Sequence, residues 1–363
     1  MLRQHHRKSM YIRRLPEKQR EFGHVIVSLR GDRGGATTAV GSRDRPTTEL
    51  RVAVPLHEEH PSHYAVRDLV AEFIGQGAHG VEVRTPPLIG RALARSHLSL
   101  PHRQRRRKGP VIVPMMGARF GQLYAAGLAG DVVPYCWDVW EPTWELWARR
   151  LRPLRPPAVF VTALQSARFL AEALPQSQVI HLPEATRVAR HDSGTCLDAR
   201  RVGILELGRR HADWHETITE AVRLHSPLPH LYENEPGRLV YPDEHALRRG
   251  LSDAVISVCF PSSLTHPQRS GNVETMTQRY LESMASGCLV LGHAPSELVA
   301  LMGFNPVVEV DWNNPAQQVL DILASPGSWQ PVVDRALKRL REVGDWSARI
   351  RTARERLRAI GLL

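Results

Sequence analysis

The stretch from 271 to 292, GNVETMTQRYLESMASGCLVLG, constrains the fold more than any other part of the chain. It is preceded by the apolar run 254–260, AVISVCF, and by a polar loop, PSSLTHPQRSGN. It passes through a run of helical character, stops at Ser286-Gly287 and enters a second apolar run, Cys288-Leu289-Val290-Leu291. Continuous apolar runs bounded by turn residues are the pattern of strands buried on both faces. Strand, loop, helix and strand in that order place the loop and the helix start at the carboxyl edge of a parallel sheet, where open α/β folds bind ligands.

Within this stretch Glu274 and Glu282 are separated by seven residues. On a helix that spacing is slightly more than two turns, so the carboxylates project to nearly one side. Glu274 is expected at or before the first turn, where the backbone N–H groups of Thr275, Met276 and Thr277 and the positive end of the helix dipole form an anion site. Glu282, two turns deeper, is placed to accept from vicinal hydroxyls such as those of a ribose. The pattern suits a ligand with hydroxyls at both ends and phosphates between them. The competing reading is a solvated helix face, which spacing alone favours.

The motif resembles the donor-binding segment of retaining GT-B glycosyltransferases, a Glu, seven residues and a second Glu followed by a small-residue tail before a strand. Leu281-Glu282-Ser283-Met284-Ala285-Ser286-Gly287 matches that tail. The resemblance implies that Glu274 contacts the transferred sugar and Glu282 the ribose of a nucleotide-sugar donor. It also implies an α/β, GT-B architecture: two Rossmann-like domains with parallel sheets facing a central cleft. One departure is Thr275-Met276-Thr277, where the family commonly has Gly-Phe-Gly. The resemblance implies a retaining hexosyltransferase with no metal and no cofactor, since protein dipoles and arginines neutralise the leaving diphosphate. The acceptor, whether a saccharide, a lipid-linked or a small molecule, is not specified.

The rest of the chain fits two domains of ordinary size within 363 residues. Residues 1–47 read as a basic tail without a packed core. Alternating strands and helices over 48–182 form an N-terminal acceptor domain, 183–200 a linker and 201–340 a C-terminal donor-binding domain. Strands are expected there at 201–207, 238–241, 254–260 and 306–310. By resemblance, 341–363 is a final helix crossing back to the first domain, with a break at Gly344.

Other candidates follow from position. Arg209 and Arg210 lie just past the first strand of the second domain, where the family places basic residues against the donor diphosphate, and guanidinium forks suit phosphate. Arg269, in the loop entering the motif, and Arg279, within it, are weaker donor-side candidates. On the acceptor side stand His57 and Glu58 after the first strand, and Trp137 and Asp138 after another, the indole for stacking and the carboxylate for orienting a hydroxyl. His57-Glu58-Glu59-His60 lacks the spacing of a helical zinc motif.

The formal charge of +11 is carried in full by residues 1–50 and the cluster Arg103, Arg105, Arg106, Arg107 and Lys108. A tail and a loop, rather than a basic groove, argue against nucleic acid and leave peripheral contact with an anionic membrane surface open. No membrane span or signal core is apparent, so the expected location is cytoplasmic, with peripheral contact at the inner membrane face as the extension. Cys136, Cys196, Cys259 and Cys288 lack metal spacing and suit packed thiols. Two alternatives stand beside the transferase: a sugar-nucleotide epimerase of the same fold, and a non-catalytic nucleic-acid or lipid-surface binding protein using the basic tail.

Overall fold

Strand β9, Ala254–Cys259, is buried at every residue, and its register with two parallel neighbours builds the second sheet. The computed structural model describes residues 49–54, 64–83, 109–118, 120–208, 210–235 and 238–363. The basic tail, the loop with Arg103 to Lys108, His57, Glu58 and Arg209 lie outside the described residues.

Among the described residues there are two wholly parallel sheets. The first has six strands in the order β2-β1-β3-β4-β5-β6. These are β1 Arg51–Val54, β2 His79–Glu82, β3 Val111–Met116, β4 Val132–Trp137, β5 Ala158–Val161 and β6 Gln178–His181. The second has five in the order β11-β10-β9-β7-β8, with β7 Val202–Glu206, β8 His230–Tyr232, β10 Leu289–Gly292 and β11 Val308–Glu309. Both faces of each sheet are covered. In β4, Val133, Tyr135 and Trp137 enter one core and Val132 and Cys136 the opposite one, the period-2 consequence of strand geometry. Burial pushes the Cys136 thiol up, as it does Cys259, to about 12, and Cys288, to about 11. These thiols stay protonated and act as packing groups.

The chain returns to the first lobe at its end. Helix Gln330–Val343 packs on the second lobe, Gly344 breaks it, and Asp345 caps the helix Trp346–Ala359 by accepting from Ser347 N. Trp346, Ile350, Ala353 and Leu357 of that helix are buried in the first lobe's core beside Tyr135 and Trp137. The linker is pinned as well. Arg187 and Arg190 donate to Asp68 Oδ1 at 3.1 and 2.7 Å. Arg200 donates to Ala254 O and Ser286 O, so it ties the linker to the end of the helix Gln278–Ala285. That helix ends with Gly287 at φ +68, and a Cβ there would meet Ser193 O at 2.4 Å. Only glycine fits both the turn and the linker.

Two expectations change. No strand forms at 238–241; the strand beside β7 is β8, and Tyr241 instead lays its ring over Gly250, where an added Cβ would meet Tyr241 Cζ at 1.9 Å. The helix of the motif begins at Gln278, not near Thr275, because residues 272–277 are drawn into hydrogen bonds with other elements. Among the described residues no helix is long and apolar enough to cross a membrane.

Because a C-terminal indole fills the first lobe's core, Trp346→Ala is expected to cost roughly 3–5 kcal/mol. Urea unfolding should show a lowered midpoint; an unchanged midpoint would contradict the packing.

Candidate functional site

The loops that follow β4, β5 and β6 of the first lobe meet those that follow β9 and β10 of the second, so the carboxyl edges of the two sheets face each other across the 269–278 segment. Its backbone is gripped from the first lobe. Asn272 N donates to Glu141 Oε2 at 2.6 Å, Glu274 N donates to Gln165 Oε1 at 2.6 Å, and Gln165 Nε2 donates to Asn272 O at 3.1 Å. Val273 packs with Trp140 and Ala163.

Glu274 lies ahead of the helix, in the irregular segment that leads into it. Its Oε1 accepts from Ser296 N at 3.1 Å, at the start of the helix Ser296–Met302, and lies 3.5 Å from His293 Nε2. About a third of the side chain is exposed, so this carboxylate is both anchored and accessible.

Glu282 is nearly inaccessible, 2 % exposed. Its Oε2 lies 2.9 Å from Arg279 Nη1, one helical turn earlier, and its Oε1 accepts from the hydroxyl of Tyr64. Tyr64 opens the first-lobe helix Tyr64–Gly75, so Glu282 is gripped from both lobes. Burial, reinforced by the Glu282 charge, holds the Tyr64 phenol well above its usual range and keeps it a donor. Arg279, a donor-side candidate on sequence, is thus engaged with Glu282.

The expected anion cradle at Thr275 to Thr277 is occupied in part by a carboxylate of the protein itself. Met276 N and Thr275 Oγ1 donate to Glu297 Oε1 at 2.8 and 2.5 Å, and the Met276 side chain is core. Glu297 Oε2 accepts from Leu164 N at 2.9 Å, the first residue of the first-lobe helix Leu164–Ala173, and lies 3.4 Å from His181 Nε2. Sequence reading passed over Glu297, although an acid in the first turn of a helix just after a buried strand was a legible sign of a role at the sheet edge. His293, Gln165 and Tyr64 were passed over too.

On the acceptor side the outcomes differ. Asp138 sits directly after β4 at φ 55, a left-handed conformation unusual for a side chain other than glycine, and its Oδ2 is 3.7 Å from Arg269 Nη2. Two candidates from opposite lobes are therefore brought together. Trp137 is a correction: at 1 % exposure, with its ring 4.5 Å from that of Tyr135 and 6.5 Å from that of Trp346, it is core and offers no stacking face. Its place in the strand alternation turns it toward the returning helix.

Acidic groups crowd the junction. Burial, with Asp138, Glu297 and Glu282 adding repulsion, pushes the Glu184 carboxyl well above the usual range. Arg210, at the other end of the site, follows β7 after Gly208; its Nη1 donates to His215 Nε2 at 3.0 Å and its guanidinium rests 5.4 Å over the Tyr232 ring. Since β7 neighbours β9 in the sheet, the Arg210 turn and the 260–277 loop share one edge. Glu206, His215 and His230 are the described residues whose ligand atoms, all within 4.8 Å of one another, are of metal-binding type.

No protein-family model matches the chain, and no curated protein matches its sequence. Solved structures do match in fold. HepE of Anabaena, in complex with UDP and glucose, superposes with a TM-score of 0.55 over 86% of this chain and 100% of that one, at 8% identity. Sucrose-phosphate synthase from Thermosynechococcus elongatus gives 0.59 over 86% and 99% at 12% identity. A glycosyltransferase from Rickettsia africae gives 0.52 over 87% and 99% at 10% identity. The chain has the GT-B arrangement, two Rossmann-like parallel sheets that face each other.

A pH test follows from the linker. Burial, with Arg248 and Arg279 adding to it, holds the His191 imidazole at about 4 against an ordinary 6.5, while its Nδ1 lies 2.9 Å from Ser286 Oγ. The unfolded chain therefore binds an extra proton between these values, so the stabilisation is complete above pH 6.5 and is lost as pH falls toward 4. Glu184, shifted upward, works in the opposite sense, so the comparison of wild type with His191→Gln isolates the histidine. The melting temperature of the wild type should fall more steeply over this window than that of the variant. Parallel curves would refute the assignment.

Proposed function

We propose that this protein is a retaining glycosyltransferase that moves a sugar from a nucleotide-diphosphate donor to an acceptor hydroxyl. The observation that carries the reading is the position of Glu274 and Glu282. Both stand on the segment where the carboxyl edges of two Rossmann-like sheets meet, one accessible and one buried between the lobes. The GT-B fold supports it, and among the proteins that share the fold HepE was solved with UDP and glucose.

In this reading Glu282 accepts from the ribose hydroxyls. The Tyr64 hydroxyl, which now donates to Oε1, occupies the place that a ribose hydroxyl would take and is displaced when the donor binds. Glu274, tied to the amide of Ser296, orients the sugar by accepting from its hydroxyls. Arg210 and its neighbour Arg209 stabilise the departing diphosphate, with Arg269 as a further cation at the loop. Met276 N and the Thr275 hydroxyl are committed to Glu297 and leave the diphosphate to the arginines. Asp138, 3.7 Å from Arg269, is positioned to hold the acceptor hydroxyl from the first-lobe side. Attack from the face that the leaving group departs needs no enzymic nucleophile and no metal. The basic tail and loop hold the enzyme near an anionic membrane surface when the acceptor is lipid-linked.

Glu282→Gln is expected to weaken donor binding about 10- to 100-fold, the value of two hydrogen bonds to a carboxylate. Tyr64→Phe should leave it equal or tighter. Glu274→Ala should lower kcat at least about 100-fold with a smaller effect on KM. Titration calorimetry and initial rates over UDP-, GDP- and ADP-sugars provide the check. Unchanged affinity in the first variant together with unchanged turnover in the last would overturn the assignment.

A further inference from the structure

Glu206 ends β7 with its side chain 1 % exposed, and a buried carboxylate persists only when it is paired. Two imidazoles meet it. His215, from the helix Ala212–His225, brings Nδ1 to 2.5 Å from Oε2, and His230, from β8, brings Nε2 to 3.3 Å from the same oxygen. The other nitrogen of His215 faces Arg210, whose Nη1 is 3.0 Å away. Tyr232 closes the group, edge-on to His215 with centroids 4.6 Å apart and face-on to the Arg210 guanidinium.

The protonation of this chain follows from donor chemistry. A guanidinium only donates, so His215 Nε2 accepts, and the ring proton sits on Nδ1 and is given to Glu206. Carboxylate, imidazole and guanidinium thus form one polarised line. A guanidinium carries five N–H donors and the bond to His215 uses one. The line and the Tyr232 ring between them fix the direction of a long side chain that would otherwise have many rotamers. Ordering it in advance removes that entropy from ligand binding. The metal reading of Glu206, His215 and His230 is weaker on the same facts. A cation there would need Nδ1 of His215 stripped of its proton, and would sit beside a guanidinium.

We propose that Glu206 and His215 are positioning residues that, with Tyr232, present Arg210 to the diphosphate of a nucleotide ligand. The inference rests on the donor reading above and extends it to residues that touch no substrate. It gives the β7 turn one chemical preference, a pyrophosphate group, independent of base or sugar.

The experiment is a mutant cycle read by calorimetry with UDP, GDP and ADP and, for whichever binds the wild type, its nucleoside. His215→Ala should weaken the nucleoside diphosphate about tenfold or more, the value of one oriented charged contact, while the nucleoside keeps its affinity. His215→Gln should restore binding to within about threefold, because its carboxamide oxygen accepts from Arg210 and its NH2 donates to Glu206. Arg210→Ala should lose as much as His215→Ala, and the double variant no more than Arg210→Ala alone. Equal losses for nucleoside and diphosphate, additive losses in the double variant, or failure of the glutamine to restore binding would each overturn the relay. If no nucleotide binds the wild type, the donor reading fails and the relay is judged separately from the ring-nitrogen NMR shifts of His215. The Nδ1–H tautomer is expected, and it is kept in Arg210→Ala because Glu206 still accepts from it; an Nε2–H tautomer in the wild type, or stoichiometric zinc uptake lost in His230→Ala, would overturn it.

Discussion

The buried carboxylate of Glu297 bridges the two lobes, at the centre of the contacts that Glu141, Gln165 and Tyr64 make across the same junction. One oxygen takes the amide of Met276 and the hydroxyl of Thr275 in the second lobe, and the other takes the amide that begins a helix of the first. At 3 % exposure such a charge is tolerable because three donors converge on it, two on one oxygen and one on the other. Its consequence is the shape of the motif loop. With Met276 N committed to Glu297 and Glu274 N to Gln165, the chain stays out of the helix until Gln278, and the helix that carries Glu282 starts late. Glu274 is thereby turned toward Ser296 and His293, and Glu282 toward Tyr64.

The same contacts divide the site into two electrostatic regions. Around the loop lie Asp138, Glu184, Glu282 and Glu297, and burial, with the repulsion of the other three added to it, holds the Glu184 carboxyl above its usual range. Such a cluster favours hydroxyl donors over anions. At the β7 turn the balance reverses, with Arg210 held over an aromatic ring and backed by the Glu206 line. A ligand with a polyhydroxylated end and a doubly charged phosphate section matches this division better than either a nucleic-acid backbone or a lipid head group alone.

The alternation of apolar runs and amphipathic helices made the two-sheet architecture legible, and the small-residue tail of the motif gave the position of Glu282. Runs such as 254–259, apolar at nearly every residue, allow few other arrangements. What stayed hidden depended on distant partners. Nothing local says that Leu164 N seeks the carboxylate of Glu297, or that Tyr64 reaches Glu282 across the lobe boundary. Trp137 misled because a strand-end tryptophan is core or site according to which helix covers that face, and the covering helix lies more than two hundred residues later. Residues 238–241 misled because Val240 and Tyr241 are half-buried packing groups against the 244–253 helix, a need that resembles a strand's in composition.

The central claim is that the closed junction between the lobes receives a nucleotide, and a crystal structure with bound ligand addresses it most directly. Crystals grown with the nucleoside diphosphate that most raises the melting temperature should show the ribose on Glu282 with the Tyr64 hydroxyl moved off. The phosphates should lie against Gly208 and Arg210, beyond the end of β7. Density for the ligand elsewhere, with the Tyr64 to Glu282 hydrogen bond intact, would contradict the account.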